Sequence, residues 1–309
     1  MENGQPSFTA LTAAAARAAH LTVDAEPWIF ADTIAAAMLG DQAPELIGYH
    51  RRHGAHPVLS GARVQVTCRS RYTEEALRLA RARGVRQYVI LGAGLDTFAY
   101  RAGMAGPAGR VRVFEVDHPA TQDWKRRALA AGRVPVPDDV TFVAADLASE
   151  PLAGRLSAAG FDAAAPALFS WLGVTMYLTR DAISATLAAI AGFASGTEVI
   201  ADYMLPQDMR DEAGATYGRL VAAAAAERGE PWLSAFAPQD LSGLARECGF
   251  ASVRHVRQRD TIPAALWTRS DSLAPVELAM LFHGFNHKIQ LQDPNHSPQK
   301  GPDRPTPRR

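Results

Sequence analysis

The feature that most constrains the fold of this chain is a short apolar strand that runs into a glycine turn. Residues 88–91 are apolar, and Gly92 and Gly94 follow them directly. About 20 residues later, a second apolar segment ends in Asp117. Glycine lets the backbone approach a ligand closely, and an acid at the end of the next strand can accept hydrogen bonds from both hydroxyls of a ribose. The pattern predicts half of a nucleotide-binding site on an α/β sheet.

The alternation of segments after residue 84 predicts the rest of the sheet. Strands at residues 87–91, 111–116, 140–144, 167–171 and 197–203 alternate with helices at 96–105, 119–131, 151–159 and 180–193. This order is typical of parallel βαβ units with helices on both faces. After Pro206 we predict a helix at 208–228, a helix at 238–248, and strands at 251–258 and 265–269. The predicted fold class is α/β, a Rossmann-like doubly wound sheet.

The segments before and after this core complete the predicted organisation. Helices at residues 11–21, 29–39 and 73–83, the last capped by Thr73 and stopped by Gly84, predict an N-terminal helical cap over residues 1–83. The core spans residues 84–290 and contains a helical lid insertion at about 206–236. Residues 291–309 are rich in proline and polar groups, and we predict that they are disordered.

Composition excludes several classes of partner. Lys plus Arg equals Asp plus Glu at 32 each, so no net charge draws the chain to nucleic acid or to an anionic membrane. No apolar run of about 18 residues is present, and residues 1–9 do not resemble a secretory signal. Cys68 and Cys248 are isolated, so neither a disulfide nor a metal site is expected. We expect a cytoplasmic protein.

The residues around the glycine turn favour one adenosine cofactor over another. A dinucleotide fingerprint needs a third glycine, but Thr97 occupies that place. Asp117 ends the second strand, where a ribose diol would lie, and Asp146 ends the third, where an adenine amino group would lie. Arg69 offers a planar fork for a free carboxylate. Because NAD lacks an α-carboxylate and S-adenosylmethionine carries one, this set favours S-adenosylmethionine. A dehydrogenase is a distant alternative.

Residues from about 8 to 269 resemble the leucine carboxyl methyltransferase family of class I S-adenosylmethionine-dependent enzymes, on the bacterial natural-product side. The late helix and final hairpin of the predicted order are also those of class I methyltransferases. The Gly-Leu-Asp-Thr block, joined to the Glu-Val-Asp-His-Pro block, is fairly specific. The matching blocks are residues 69–72, 89–97 with Tyr100 and Arg101, 114–119 with Lys125, 143–147, and 173–179.

The resemblance implies a role for each cofactor residue. Arg69 would hold the methionine carboxylate, Asp117 the ribose, and Asp146 the adenine. In one departure, Leu172 stands where the family usually carries a glutamate, so a contact to the methionine amino group is lost or comes from a backbone carbonyl. The full implied set of cofactor residues is Arg69, Gly92, Ala93, Gly94, Asp117, His118, Asp146 and Leu147.

The chemistry of methyl transfer leaves the acceptor open. A carboxylate is ionised at neutral pH and needs no general base, so the lack of an evident catalytic dyad fits carboxyl methylation, and we name no catalytic residue. We predict a small-molecule or peptide carboxylate as acceptor, contacted by Tyr177 and Arg63; a solvated basic loop is the alternative for Arg63. Phenol or amine methylation and a non-catalytic cofactor-binding partner are the alternative functions. A homodimer is left open.

Overall fold

A computed structural model describes residues 7–101, 111–147 and 149–287 of the chain. Its centre is a seven-stranded sheet in the order β3-β2-β1-β4-β5-β7-β6. Strands β1 to β5 run parallel, and β7 is inserted antiparallel between β5 and β6. The predicted doubly wound α/β fold is confirmed. The strands are β1 (Gln87–Leu91), β2 (Arg112–Asp117), β3 (Val140–Ala144), β4 (Ala167–Trp171), β5 (Glu198–Met204), β6 (Ser252–Arg257) and β7 (Ala279–Phe285).

Helices cover both faces of this sheet. The side chains of β1 alternate, so Val89 and Leu91 pack with α6, α7 and α9, whereas Tyr88 and Ile90 pack with the C-terminal half of α4. Burial on both faces explains why the parallel strands read as almost continuous apolar runs. The helices are α1 (Phe8–Val23), α2 (Ala35–Met38), α3 (Ala43–His53), α4 (Pro57–Ala82), α5 (Pro119–Ala131), α6 (Leu152–Ala158), α7 (Arg180–Ala191), α8 (Glu212–Ala226) and α9 (Pro238–Glu247).

The alanine-rich helix α1 lies over the glycine turn. Its buried alanines pack against α2, α3 and Leu95. Arg17 fixes the contact, because its Nη2 donates to the carbonyl of Leu95 at 2.6 Å and its Nε donates to Asp32 at 2.7 Å. The N-terminal helices therefore form one wall of whatever binds at this turn.

Helix α4 is longer than predicted. The predicted helix 73–83 is only its last part, and Thr73 is a buried mid-helix residue rather than an N-cap. The helix begins after His56, whose Nδ1 accepts from the backbone N–H of Val58 at 3.3 Å. A glycine and several β-branched residues in the first half have low helix propensity, so packing against the sheet and the N-terminal helices decides its length.

The predicted helix 29–39 is wrong for most of its length, because only α2 is helical there. Side chains take the backbone groups that a helix would use. His20 Nε2 accepts from the N–H of Ile29 at 3.0 Å, and Asp32 Oδ1 accepts from the N–H of Ala35 at 3.0 Å. These local bonds compete with helical hydrogen bonding and hold the segment in an irregular path.

The predicted strand 265–269 is also wrong. A 3₁₀ turn, Ala264–Trp267, occupies this place, and the hairpin partner of β6 is β7, which the sequence reading missed. Arg269 instead ties the segment to the N-terminal region by donating to the carbonyl of Ala25 at 2.6 Å.

The remaining predicted elements are confirmed with small shifts at their ends. The predicted helix 96–105 is the exception, because its described part, residues 96–101, holds only a 3₁₀ turn, Phe98–Tyr100, and no α-helix. Its last residues and the tail 291–309 lie outside the described residues. No helix in the described ranges combines the length and apolar character needed to cross a membrane.

Candidate active site

A cavity of about 700 Å³ opens at the carboxyl ends of β1 to β4, where open α/β sheets bind their ligands. The volume lies within the range of about 300–1,000 Å³ that is typical of small-molecule pockets. The structure brings most of the predicted site residues to this cavity, although their individual roles stay predictions. The predicted residues that line it are Arg69, Gly92, Ala93, Gly94, Asp117, His118, Asp146, Leu147 and Tyr177.

The turn after β1 needs glycine for two reasons. Gly92 and Gly94 have φ values of +64° and +45°, in the left-handed region that other residues adopt at a cost. A Cβ at Gly92 would also collide with Cγ2 of Val174, and a Cβ at Gly94 would lie 3.1 Å from the Cβ of Ala10. The backbone of this turn therefore lies between Val174 and Ala10 with no side chain of its own at either glycine. A ligand can lie directly against it.

Asp117 lies beside the glycine turn, and two backbone N–H groups already donate to its carboxylate. Its Oδ2 accepts from the N–H of Gly94 at 2.5 Å, and its Oδ1 accepts from the N–H of His118 at 2.7 Å. Burial raises the pKa of Asp117, while these two bonds oppose the rise. A buried carboxylate with unused lone pairs favours a ligand that donates, and a ribose diol supplies two donors.

Asp146 and Leu147 follow β3 at the rim of the same cavity. The N–H of Asp146 donates to Glu150 Oε2 at 2.8 Å, and Asp146 Oδ2 accepts from Ser149 Oγ at 2.9 Å. These bonds fix a carboxylate beside an apolar side chain. That pair suits the amino edge and the face of an adenine ring, as predicted.

Arg69 is held in place by an acid that the sequence reading missed. Arg69 Nη1 lies 2.7 Å from Asp202 Oδ2, and Asp202 Oδ1 accepts from the N–H of Gly173 at 2.6 Å. The side chain of Asp202 is 1% exposed, whereas that of Arg69 is 14% exposed and reaches the cavity. A Cβ at Gly173 would lie 2.7 Å from Arg69 Nη2, so this glycine makes room for the guanidinium. Arg69 keeps donors for a ligand carboxylate.

The departure at Leu172 lies in the same cavity. Leu172 lines it next to Gly173 and offers apolar surface only. An ammonium group bound here would depend on backbone carbonyls, as the sequence predicts.

The far end of the cavity is apolar and aromatic. Met176, Met204 and Leu278 form a buried cluster there, with Tyr177, Tyr217 and Trp232 packed against it. Burial raises the pKa of Tyr177 above its usual range and that of Tyr217 to about 12, so both phenols stay protonated at neutral pH. The sequence predicted only Tyr177 among these residues. Tyr217 and Trp232 come from the lid, which has no recognisable motif.

The segment after α8, the end of the predicted lid, lines one side of the cavity. The N–H of Leu233 donates to the carbonyl of Met176 at 2.6 Å, which ties the lid to the turn after β4. On the opposite side, Thr9 Oγ1 donates to Glu230 Oε2 at 2.8 Å, and the guanidinium of Arg228 lies 4.0 Å from the ring centroid of Phe8. The first turn of α1 and the lid therefore contact each other beside the cavity.

Arg63 does not reach this cavity. Its side chain is 0% exposed, its Nε lies 2.7 Å from Asp24 Oδ2, and its Nη2 donates to Asp24 Oδ1 at 2.9 Å and to the carbonyl of Gly54 at 2.8 Å. These partners occupy the guanidinium. The predicted contact with an acceptor carboxylate does not fit this placement, and a solvated loop does not fit it either. Arg63 has a structural role.

The sheet order, the reversed β7 and the cavity at the strand ends define a class I S-adenosylmethionine-dependent methyltransferase fold. The leucine carboxyl methyltransferase family model matches residues 10–191, and the chain belongs to this family. YktD of Bacillus subtilis, which carries the name of an S-adenosyl-L-methionine-dependent methyltransferase, is 29% identical over 306 residues, covering 92% of this chain and 99% of its own. The chain is a methyltransferase, and its cofactor is S-adenosylmethionine.

Other similar proteins agree with this assignment. A Streptomyces avermitilis protein with the same kind of name is 34% identical over 196 residues, which cover 62% of this chain and 67% of that protein. The crystal structure of a Thermobifida fusca protein described as a methyltransferase has a TM-score of 0.56 at 17% identity, and the match covers 92% of this chain and 96% of that one. This last likeness shows the fold.

Replacing Gly92 by Ala is expected to lower the affinity for S-adenosylmethionine by at least about tenfold. A left-handed non-glycine residue costs roughly 1–2 kcal/mol, and the new methyl group collides with the side chain of Val174, which lines the same cavity. Calorimetric titration measures the change. Adding Val174→Ala removes the collision and should recover part of the affinity. Gly154→Ala in α6 is the control, because no atom lies within 4 Å of the added Cβ; equal binding by the Gly92 variant would contradict the prediction.

Proposed function

We propose that this methyltransferase esterifies the carboxylate of a small-molecule acceptor of the natural-product type, such as a polyketide acid. The observation that supports the proposal is the acceptor end of the cavity, which is largely apolar and aromatic. Among the described lining residues, the histidine present is His118, which lies beside Asp117 at the ribose end rather than at the acceptor end.

The chemistry of the acceptor oxygen follows from these surroundings. When bound, S-adenosylmethionine supplies an electrophilic methyl group on a good leaving group. The residues of the chain then have to hold the acceptor oxygen in line with that methyl group and exclude water. A carboxylate arrives ionised, because its reference pKa is near about 4. The protonated phenols of Tyr177 and Tyr217 supply donors for an anionic oxygen rather than a base.

The contacts between α1 and the lid support a small acceptor over a protein tail. The contacts of Thr9 with Glu230 and of Phe8 with Arg228 connect the two segments beside the cavity. A peptide would have to hold these contacts apart for as long as it is bound, whereas a small molecule can bind while they stay in place.

An acceptor panel tests the proposed function. Wild-type protein is incubated with labelled S-adenosylmethionine and matched pairs of acids and phenols, and the products are treated with mild base. We expect methylated acids whose label is released by base, because esters are hydrolysed and aryl ethers are not. The rate should stay nearly flat between about pH 6 and 9, because the acceptor is already ionised. Methylation of phenols alone, with a rate that rises with pH, would favour the phenol alternative.

Binding of S-adenosylmethionine without transfer to any member of the panel would favour a non-catalytic partner protein. Both results would leave the family and the cofactor intact. They would remove only the proposed acceptor class.

A further inference from the structure

One face of α4 carries two polar side chains into the cavity. Gln65 and Arg69 are four residues apart and both line it, so they lie on the same side of the helix, separated by about 6 Å along its axis. Arg69 marks the end that we assign to the methionine carboxylate. In the other direction the ring of Tyr217 packs on Gly61, where an added Cβ would lie 2.9 Å from Tyr217 Cδ2. Gln65 therefore lies between the cofactor end and the lid, where the acceptor must lie.

The orientation of the Gln65 amide is fixed by a chain of hydrogen bonds. The backbone N–H of Val276 lies 2.8 Å from a side-chain atom of Gln258, and this atom must be the oxygen because a backbone N–H can only donate. The nitrogen of Gln258 is then the atom that lies 2.8 Å from Gln65, so it must meet the Gln65 oxygen. Gln258 is 5% exposed, which holds this arrangement in place.

This series of hydrogen bonds leaves the amide nitrogen of Gln65 available to a ligand, because Gln65 lines the cavity. Within the part of the chain that the structure describes, Gln65 Nε2 has no hydrogen-bond partner. Its two N–H groups can satisfy only a ligand atom that accepts hydrogen bonds. Because the Gln65 amide presents its nitrogen and not its oxygen, it favours methyl acceptors that place a hydrogen-bond acceptor atom beside it.

We propose that Gln65 recognises the carboxylate of the methyl acceptor, and that Gln258 is a positioning residue that keeps the nitrogen of Gln65 directed to the cavity. This proposal rests on the proposed function, methylation of a carboxylate, and adds the residue that binds the carboxylate of the methyl acceptor. A carboxylate oxygen accepts from Gln65 while the other oxygen is methylated. An acceptor group that donates at this place would leave both N–H groups unpaired.

Two variants test the proposal by different routes. Gln65→Glu keeps the size of the side chain but puts an anionic oxygen where the donors were. Gln258→Glu changes no residue that lines the cavity. When ionised, the carboxylate that it introduces can only accept from Gln65, so the Gln65 amide must turn over and present its oxygen. Because burial raises the pKa of a carboxyl and a protonated carboxyl can donate, binding to this variant is measured above the pH at which the new group ionises. Gln207→Glu, on an exposed 3₁₀ turn, is the control for the added charge.

The measurement is calorimetric binding of benzoate, octanoate and benzamide to protein saturated with S-adenosylhomocysteine, alongside acceptor KM and kcat. We expect both variants to lose about tenfold or more of their carboxylate affinity, with acceptor KM affected more than kcat. In Gln258→Glu the preference for benzoate over benzamide should invert, because an amide can donate to the turned Gln65. A purely structural role for Gln258 would not produce this inversion.

Three outcomes would overturn the proposal. They are unchanged carboxylate affinity in both variants, an equal loss for benzoate and benzamide in Gln258→Glu, and an affinity for S-adenosylhomocysteine that falls by the same factor, which would place Gln65 on the cofactor. The acceptor panel with wild-type protein tests the proposed function separately. If the wild-type protein methylates only phenols, that function fails before the variants are compared; if it methylates acids and the variants behave as wild type, only the role of Gln65 fails.

Discussion

Replacing Arg69 by Met is expected to weaken the binding of S-adenosylmethionine by about 100-fold or more. The guanidinium is the group at the cavity best suited to the methionine carboxylate, and a bidentate charge-assisted pair is among the stronger contacts a protein offers. The same change leaves Asp202 buried without its cation, so we expect the free energy of unfolding to fall by about 3–5 kcal/mol. Calorimetric titration and denaturant unfolding measure the two effects.

A second substitution separates the loss of binding from the loss of stability. Asp202→Asn removes the uncompensated charge and keeps an oxygen for the N–H of Gly173. The double variant of Arg69→Met and Asp202→Asn should regain much of the stability of the wild type while cofactor binding stays weak. Arg78→Met on the exposed side of α4, where Arg78 pairs with Glu75, is the matched control. If the double variant binds the cofactor as the wild type does, Arg69 does not hold the carboxylate.

The sequence predicted the parallel half of the sheet correctly because the local sequence pattern there agrees with the packing in the folded protein. The strands β1 to β5 are apolar runs separated by helices of the usual length, and the glycine turn after β1 leaves few alternatives. The prediction of the second hairpin strand was wrong for two reasons. Strand β7 is nearly all apolar apart from His283, and a long irregular connection separates it from β6. No turn signal links the two strands in sequence, so only the vacant edge of β5 determines where β7 pairs.

The residues assigned to the cofactor could be brought together from the sequence because, apart from Arg69 on α4, each of them ends a strand or follows one. The residues proposed for the acceptor could not be found in this way, because Tyr217 and Trp232 come from the lid and Gln65 lies in α4 ahead of the block at residues 69–72, where no motif is present. Asp202 did leave a signal, since an acid in the middle of the apolar strand β5 needs a buried partner. Looking for that partner would have led to a buried cation such as Arg69.

The error over Arg63 has a geometric cause. Arg63 and Arg69 are six residues apart, and residues at that spacing lie on different faces of a helix. The predicted helix began at Thr73, so the two arginines lay outside it and no helical spacing was applied to them. Once α4 is continuous from residue 57, only one of them can face the cavity. The spacing of four residues from Gln65 to Arg69 places Gln65 on the cavity face instead.

Replacing Arg63 by Met is therefore expected to destabilise the fold without changing the site. Arg63 forms a two-point ion pair with Asp24 and donates to the carbonyl of Gly54. Its Nη1 also lies 3.3 Å from His50 Nδ1, and burial lowers the pKa of His50 to about 4, so that ring is neutral and can accept the bond. Removing the cation leaves Asp24 buried without its main partner. We expect the free energy of unfolding to fall by about 3–5 kcal/mol in denaturant titrations.

The same variant distinguishes the structural role of Arg63 from the predicted role in acceptor binding. Below its melting transition, Arg63→Met should bind S-adenosylmethionine with the wild-type Kd and should show the wild-type acceptor KM, because Arg63 does not line the cavity. Arg52→Met on the exposed face of α3 removes one positive charge from the same region and should change neither stability nor KM. If the acceptor KM rises while the stability is unchanged, Arg63 contacts the acceptor after all. The opposite pattern is expected, because a guanidinium already saturated by Asp24 and Gly54 has no donor left in position for an acceptor.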